Sequence, residues 1–291
     1  MNSIVFRTRV KGVGHFMGSL DGKVAFITGA ARGQGRSHAL RLAAEGADII
    51  GVDLCATVPT APSEGPPAAE LAGTVKEVEA LDRRMLAAKV DVRDLPGLTD
   101  FVSASVRELG RLDIVLANAG IAGTAPTLEM DEEVWQTMID INLTGVWKSL
   151  KASVPHIVSG GRGGSVVITS SLAAVHANEH TAHYSAAKHG LVGLMRVLAK
   201  ELAPHRIRVN TLHPTTVATE MVLNEETYRH FRPDLGSPTR ADFEEAATTL
   251  NRMNVPYVDA ADISNAVLHL VSDTGRYVTG SQQLIDAGGS L

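Results

Sequence analysis

Short apolar runs rich in β-branched residues recur along the chain with helix-patterned segments between them, and this alternation constrains the fold more than any other feature. The runs are Val24–Ile27, Asp48–Val52, Ala87–Val90, Ile114–Leu116, Ser165–Ile168, Ile207–Val209 and Gln283–Ile285. Strands that alternate with helices pair in parallel and must be covered on both faces. The expectation is a single doubly wound α/β domain around a seven-stranded parallel sheet. It has no internal repeat or linker and spans residues 17–291. Residues 1–16 carry basic side chains around the short apolar run Ile4-Val5-Phe6, which is too short for a signal-peptide core, so they read as a flexible extension or an upstream start.

Two segments break the rhythm. Residues 54–83 open with Pro59, Pro62, Pro66 and Pro67, then place Leu71, Val75, Val78 and Leu81 at helical spacing, which predicts a loop with an added amphipathic helix. Residues 214–257 form a longer excursion carrying Met221, Leu223, Tyr228, Phe231, Phe243, Leu250, Met253 and Tyr257. At that place in a doubly wound fold it reads as a substrate lid, with apolar side chains that either line a water-poor pocket or pack the lid onto the domain.

Composition narrows the function classes. A net charge of -5 over 291 residues, with no basic run, argues against nucleic-acid binding. No stretch approaches the roughly 18 apolar residues of a membrane helix. The single Cys55 excludes an internal disulfide and fits a reducing, cytoplasmic setting. His176, His180 and His183 do not share one helical face and have no acidic or cysteine partner in matching order, so no metal site is expected; His183 or His213 is a candidate for touching substrate instead.

The run Thr28-Gly29-Ala30-Ala31-Arg32-Gly33-Gln34-Gly35 follows the first strand and opens a helix from Arg36 to Glu45. Glycines there tighten the turn and let backbone approach a pyrophosphate at the positive end of the helix, the Rossmann-type arrangement. Asp53, at the end of the second strand, is placed to accept hydrogen bonds from both adenosine-ribose hydroxyls and to repel a 2′-phosphate, favouring NAD over NADP. Arg32 pulls the other way. Asp91 and Val92 follow the third strand, where they hold an adenine ring or, for Asp91, cap the next helix. Asn118, Ala119 and Gly120 line the cofactor floor or form an ordinary strand-end turn.

Tyr184 and Lys188 stand one helical turn apart on one face. Free tyrosine titrates near 10, and bringing it close to 7 takes roughly 3 units, or about 4 kcal/mol, part of which a neighbouring ammonium supplies. Ser171 precedes Tyr184 by 13 residues at the end of the fifth strand, so both hydroxyls can share one substrate oxygen, and strand alternation turns its rival Ser170 away.

Taken in order, Thr28-Gly29-x-x-x-Gly33-x-Gly35, Asn118-Ala119-Gly120, Asn142, Ser171 and Tyr184-x-x-x-Lys188 resemble the classical short-chain dehydrogenase/reductase family over residues 19–291. The run Arg36-Ser37-His38, the insertion after Asp53, Leu212-His213-Pro214-Thr215 and Phe231-Arg232-Pro233-Asp234 resemble its carveol dehydrogenase-like subgroup, which is linked to the redox peptide cofactor mycofactocin. The resemblance implies an NAD-dependent alcohol dehydrogenase acting on a hydrophobic secondary alcohol, alicyclic or terpenoid, with NAD held without ready exchange and reoxidised by another acceptor. It implies Tyr184 as base, Lys188 on the nicotinamide ribose, Ser171 orienting substrate, and Asn142 holding a water that links Lys188 to solvent. It also places Pro214, Val217 and Thr219 among the cofactor contacts, Val217 and Thr219 at the nicotinamide carboxamide, and implies a homotetramer. Two other readings stay open: a carbonyl reductase that exchanges its cofactor freely, and a nucleotide-sensing scaffold without catalysis.

Overall fold

Alternation along each strand decides which face of the sheet a residue covers. In β1 (Val24–Thr28), Val24 and Phe26 enter one core while Ala25 and Ile27 enter the other. The same split separates Ile50 and Val52 from Ile49 in β2 (Asp48–Asp53), Val115 from Ile114 and Leu116 in β4 (Ile114–Ala117), and Val166 and Ile168 from Val167 in β5 (Gly164–Thr169). With β3 (Met85–Lys89), β6 (Ile207–Pro214) and β7 (Gln282–Ile285) they form one parallel seven-stranded sheet in the order β3-β2-β1-β4-β5-β6-β7. The computed structural model describes residues 18–61 and 63–291, and the expected extension 1–16 lies outside the described residues.

One core lies beneath α3 (Leu95–Leu109), α5 (Gly145–Gly160) and α6 (Ala182–Leu202). The other lies beneath α1 (Gly33–Ala44), α2 (Ala68–Glu79) and α9 (Ala260–Val271). The sequence puts polar groups inside the second one. His38 of α1 is buried, its Nδ1 2.8 Å from the Ser264 hydroxyl of α9, and its Nε2 has no partner. No helix among the described residues is long and apolar enough to cross a membrane.

Several boundaries differ from expectation. The helix α2 belongs to the regular crossover from β2 to β3 and packs on α1, so what is added after Asp53 is the loop 54–67 alone. The third strand starts at Met85, buried against Gly51, because unbranched Met85 and Leu86 fill an edge position where a β-branched pattern was sought. The sixth strand runs on to Pro214 through buried Asn210, Thr211 and His213, whose side chains are hydrogen-bonded rather than apolar. One helix is interrupted: α4 (Glu132–Ile139) passes through a π-helical turn, Asp140–Thr144, into α5. Of the excursion 214–257, Phe243 is buried with its ring 5.3 Å from Tyr228 and 4.9 Å from Phe231, so these aromatics of α7 (Glu225–Phe231) and α8 (Arg240–Thr248) pack one another while Leu250 and Met253 are exposed.

Burial lowers the His38 pKa from its ordinary 6.5 to about 3. Its folded value lies below its unfolded one, so it costs nothing above pH 6.5 and destabilises increasingly as pH falls from 6.5 toward 3. At pH 5 the penalty is about 2 kcal/mol. Urea unfolding at pH 7 and pH 5 should show that loss in the parent protein and a smaller one in His38→Gln.

Candidate active site

Three strand ends are laced together where the strand order reverses between β1 and β4. The Thr28 hydroxyl accepts from the backbone N–H of Asn118 and of Ala119, each at 3.0 Å, and the Asn118 amide donates to the Thr28 carbonyl at 3.1 Å. The Thr169 hydroxyl of β5 donates to Asn118 Oδ1 at 3.3 Å. In an open parallel sheet the crevice beyond the strand ends at such a reversal is the natural ligand site.

The glycine turn fills that position with backbone. Gly29 has φ +71, a conformation that costs glycine little, and a Cβ on Gly35 would collide with the Gly29 carbonyl. The helix α1 starts at Gly33, three residues before the expected Arg36, with Gly33 itself at φ +55 and its N-terminus opening on the cleft. The cleft is lined by Gly29, Arg32, Gly33, Gln34, Asp53, Asp91, Val92, Asn118, Ala119, Gly120 and Thr219, all singled out in the sequence. Gln34 Oε1 lies buried there without a partner, an acceptor that suits a ligand donor. Asp53 is held by backbone: its carboxylate accepts from Ala31 N at 3.0 Å and Cys55 N at 3.1 Å.

Other expected contacts look different in place. Arg32 donates to the Glu64 carbonyl of the added loop, so its guanidinium ties that loop to the glycine turn. Asp91 pairs with Arg93 at 2.6 Å; burial opposes its ionisation, but Arg93 outweighs it and holds the carboxyl below the usual range. The cap of α3 is Asp94, which accepts from Gly97 N. The Thr219 hydroxyl donates to the Val217 carbonyl at 3.4 Å, and Asn224 caps α7. Pro214, paired with Ile285, and buried Val217, bridged to Val258, lie outside the cleft wall. Sequence reasoning missed Leu54, Ile121, Ile141, Glu220 and Met221, which also line it. The place of Glu220 and Met221 directly after Thr219 was a usable signal, whereas Ile121 and Ile141 carried none beyond apolarity.

Ser171, Tyr184, Lys188 and Asn142 converge beside Gly120. Lys188 is buried, with Nζ 5.5 Å from the Tyr184 ring centroid and donating to the Thr169 carbonyl at 3.0 Å. A Cβ on Gly120 would lie 2.5 Å from Asn142 Oδ1 and 3.6 Å from Lys188 Nζ, so only glycine fits between them. Within the π-helical turn, Asn142 accepts from Ile121 N at 3.1 Å and donates to the Ile121 carbonyl at 2.9 Å, fixing the strand-four loop. Ser170 turns away and donates to the Lys188 carbonyl at 3.0 Å, as alternation anticipated. His213 is wholly buried with both ring nitrogens bonded, which removes it as a substrate contact; His183 is likewise buried, with neither nitrogen partnered. Among the described residues no group of three or more His, Cys, Asp or Glu is arranged to hold a metal.

Electrostatics differ from the simple pairing. Burial pushes the Tyr184 phenol up, and a hydrogen bond with Ser171 pulls it part of the way back. Burial brings Lys188 down from 10.5 to about 8. Each group resists charging in this water-poor corner, so the phenol is not made acidic by Lys188 alone.

The short chain dehydrogenase family model matches residues 23–229. The chain belongs to the short-chain dehydrogenase/reductase family. Within it, the chain falls in the carveol dehydrogenase-like subgroup: it is 56% identical over 277 residues to (-)-trans-carveol dehydrogenase of Rhodococcus erythropolis, covering 94% of this chain and 100% of that one. The carveol dehydrogenase of Mycobacterium avium, solved in complex with NAD, superposes with a TM-score of 0.92 at 54% identity, covering 94% of this chain and 99% of that one. A short chain dehydrogenase from Mycobacterium paratuberculosis bound to NAD gives 0.85 at 41% identity, with 94% and 99% covered.

A short-chain dehydrogenase that buries an ammonium carries a stability cost. With a folded pKa of about 8 against an ordinary 10.5, Lys188 destabilises fully below pH 8, and the penalty fades as pH rises to 10.5. Lys188→Met should therefore unfold later at pH 7, by up to about 3 kcal/mol in urea, while losing turnover.

Proposed function

We propose that this chain is an NAD-dependent dehydrogenase that oxidises a hydrophobic secondary alcohol, alicyclic or terpenoid, to a ketone. The observation that carries the reading is the meeting of Ser171, Tyr184 and Lys188 beside Gly120, which itself lines the cleft that the glycine turn and Asp53 also wall. The donor set fits a dinucleotide: crowded Gly29 and Gly120 leave backbone facing the cleft, Gln34 Oε1 waits for a donor, and the Asp53 carboxylate suits ribose hydroxyls while opposing a 2′-phosphate. Asp91, Val92, Asn118, Ala119 and Thr219 would hold the remainder, with Pro214 and Val217 behind.

Bound NAD would supply the hydride acceptor and the positive charge of its oxidised ring. As the phenolate, Tyr184 takes the alcohol proton on its oxygen, and Ser171 orients the substrate oxygen and stabilises charge on it. Lys188 favours the phenolate; because burial alone keeps Tyr184 protonated, the second positive charge matters to this base. Asn142 fixes the Ile121 loop and so the floor beneath the reacting groups.

The loop 54–67 supports slow cofactor exchange. It lines the adenosine end through Leu54, Ala56, Val58, Ala61, Ser63, Glu64, Gly65 and Pro66, and Arg32 fastens it to the glycine turn. On this reading the NAD is reoxidised in place by another acceptor, with mycofactocin as the redox partner. Exposed Trp135 and Trp147 along α4 and α5 and Val197 on α6 favour a homotetramer through those helices.

The test starts from protein as purified: mass spectrometry and absorbance should find bound NAD, and labelled NAD should exchange over minutes or longer. With (-)-trans-carveol and an artificial dye acceptor, Tyr184→Phe should lose about 10²–10⁴-fold in kcat. Exchange within seconds would remove the retained-cofactor part, and an active Tyr184→Phe would remove the catalytic assignment.

A further inference from the structure

His213 is a polar residue sealed inside the sheet, and the chemistry described so far leaves it unused. It lies on β6 facing the same way as Thr211, two residues earlier, and neither side chain is exposed. Its Nδ1 is 2.9 Å from the Ser171 carbonyl and its Nε2 is 2.9 Å from the Thr211 hydroxyl. A carbonyl only accepts, so Nδ1 carries the proton; Nε2 of the neutral ring then accepts a hydrogen bond from the Thr211 hydroxyl. Burial holds the ring neutral against the opposing pull of the Ser171 carbonyl, and the Lys188 charge acts in the same direction as burial.

The Ser171 peptide is otherwise fixed mostly from within its own turn. Its carbonyl accepts from Ala174 N at 3.0 Å and its hydroxyl from Ala173 N at 3.1 Å, both of which travel with the loop. The neighbouring Ser170 N bonds the Leu212 carbonyl at 2.8 Å, which pins the strand but leaves the next peptide free to rotate. His213 is thus the side chain that fastens the Ser171 peptide to another element. Rotating that peptide swings the Ser171 hydroxyl relative to Tyr184.

We propose that His213 is a positioning residue: as a neutral Nδ1–H tautomer relayed from Thr211, it clamps the Ser171 carbonyl and thereby aims the Ser171 hydroxyl at Tyr184 and the substrate oxygen. The inference rests on the dehydrogenase reading above. It is a claim about geometry in the reacting complex, so it predicts loss in kcat with KM for the alcohol and NAD content nearly unchanged.

Asparagine and glutamine separate the two ring nitrogens. The side-chain amide of His213→Asn falls where Nδ1 lies and can donate to the Ser171 carbonyl, whereas that of His213→Gln reaches toward the Nε2 position and cannot. With (-)-trans-carveol and a dye acceptor, His213→Gln and His213→Leu should lose about 10- to 100-fold in kcat, and His213→Asn should keep most of it. Wild-type kcat in folded His213→Gln, or equal losses in the Asn and Gln variants, would overturn the clamp. If His213→Leu does not fold, the Asn and Gln pair still decides.

A second readout needs no turnover. Imidazole ¹⁵N spectra of the histidine-labelled protein, with the His213 signal assigned by its loss in His213→Asn, should show a neutral ring protonated at Nδ1. An Nε2–H or doubly protonated ring would refute the proposal. Tyr184→Phe is assayed alongside: if it stays active the dehydrogenase reading itself fails, whereas an inactive Tyr184→Phe beside a fully active His213→Gln removes the clamp alone.

Discussion

The bonds between Thr28 and Asn118 hold the cleft open. At the reversal β1 and β4 stay paired while the connections that leave them turn to opposite faces of the sheet, so the crevice between those connections is shaped by the side chains and backbone at the strand ends. Thr28 accepts two backbone N–H groups from the β4 exit, and Asn118 reaches back to β1 while accepting from Thr169 of β5. Glycine turn, cofactor floor and catalytic corner are all built outward from this knot. Thr169 even serves twice, since its carbonyl receives the Lys188 ammonium.

The site asks the fold to tolerate charges where water is scarce. Lys188 is buried with a single carbonyl acceptor, and Tyr184 resists ionisation beside it. A corner of this kind is poor for stability and good for chemistry, because charge that arrives with ligand is felt there at close to full strength. The crowded glycines keep side chains out of the cleft beside the glycine turn and Gly120, which on the proposed reading leaves backbone open to a ligand's phosphates and ribose.

Much of this was legible because the functional residues sit at strand ends and helix starts, in chain order. The β-branched runs located β1, β2, β4, β5 and β7 to within a residue or two, and the Tyr184-x-x-x-Lys188 spacing placed both groups on one helix face. What escaped did so for physical reasons. Met85 and Leu86 open an edge strand without branching, and Asn210, Thr211 and His213 extend β6 because their polar groups find partners only once β5 and β7 lie alongside. Arg32 read as a possible phosphate ligand, but its partner, the Glu64 carbonyl, is 32 residues away in a loop whose path no local pattern fixes. His213 looked like a cleft residue for the same reason: its seat depends on the register that sets Thr169 opposite Leu212.

The π-helical turn at Asp140–Thr144 has a further effect on the architecture. One additional residue in a turn, marked by Gly145 N bonding the Asp140 carbonyl, rotates everything after it about 100° relative to an unbroken helix. The segment before it packs on α6, which bears Tyr184 and Lys188, and the segment after it packs on α3 and β4. A single rod thereby serves two clients on different sides of the sheet's covering layer, with Asn142 at the changeover. Its length in residues is consequently under tighter constraint than its composition: deleting one residue would turn half of the layer out of register, whereas exchanging an exposed side chain would leave both contacts in place.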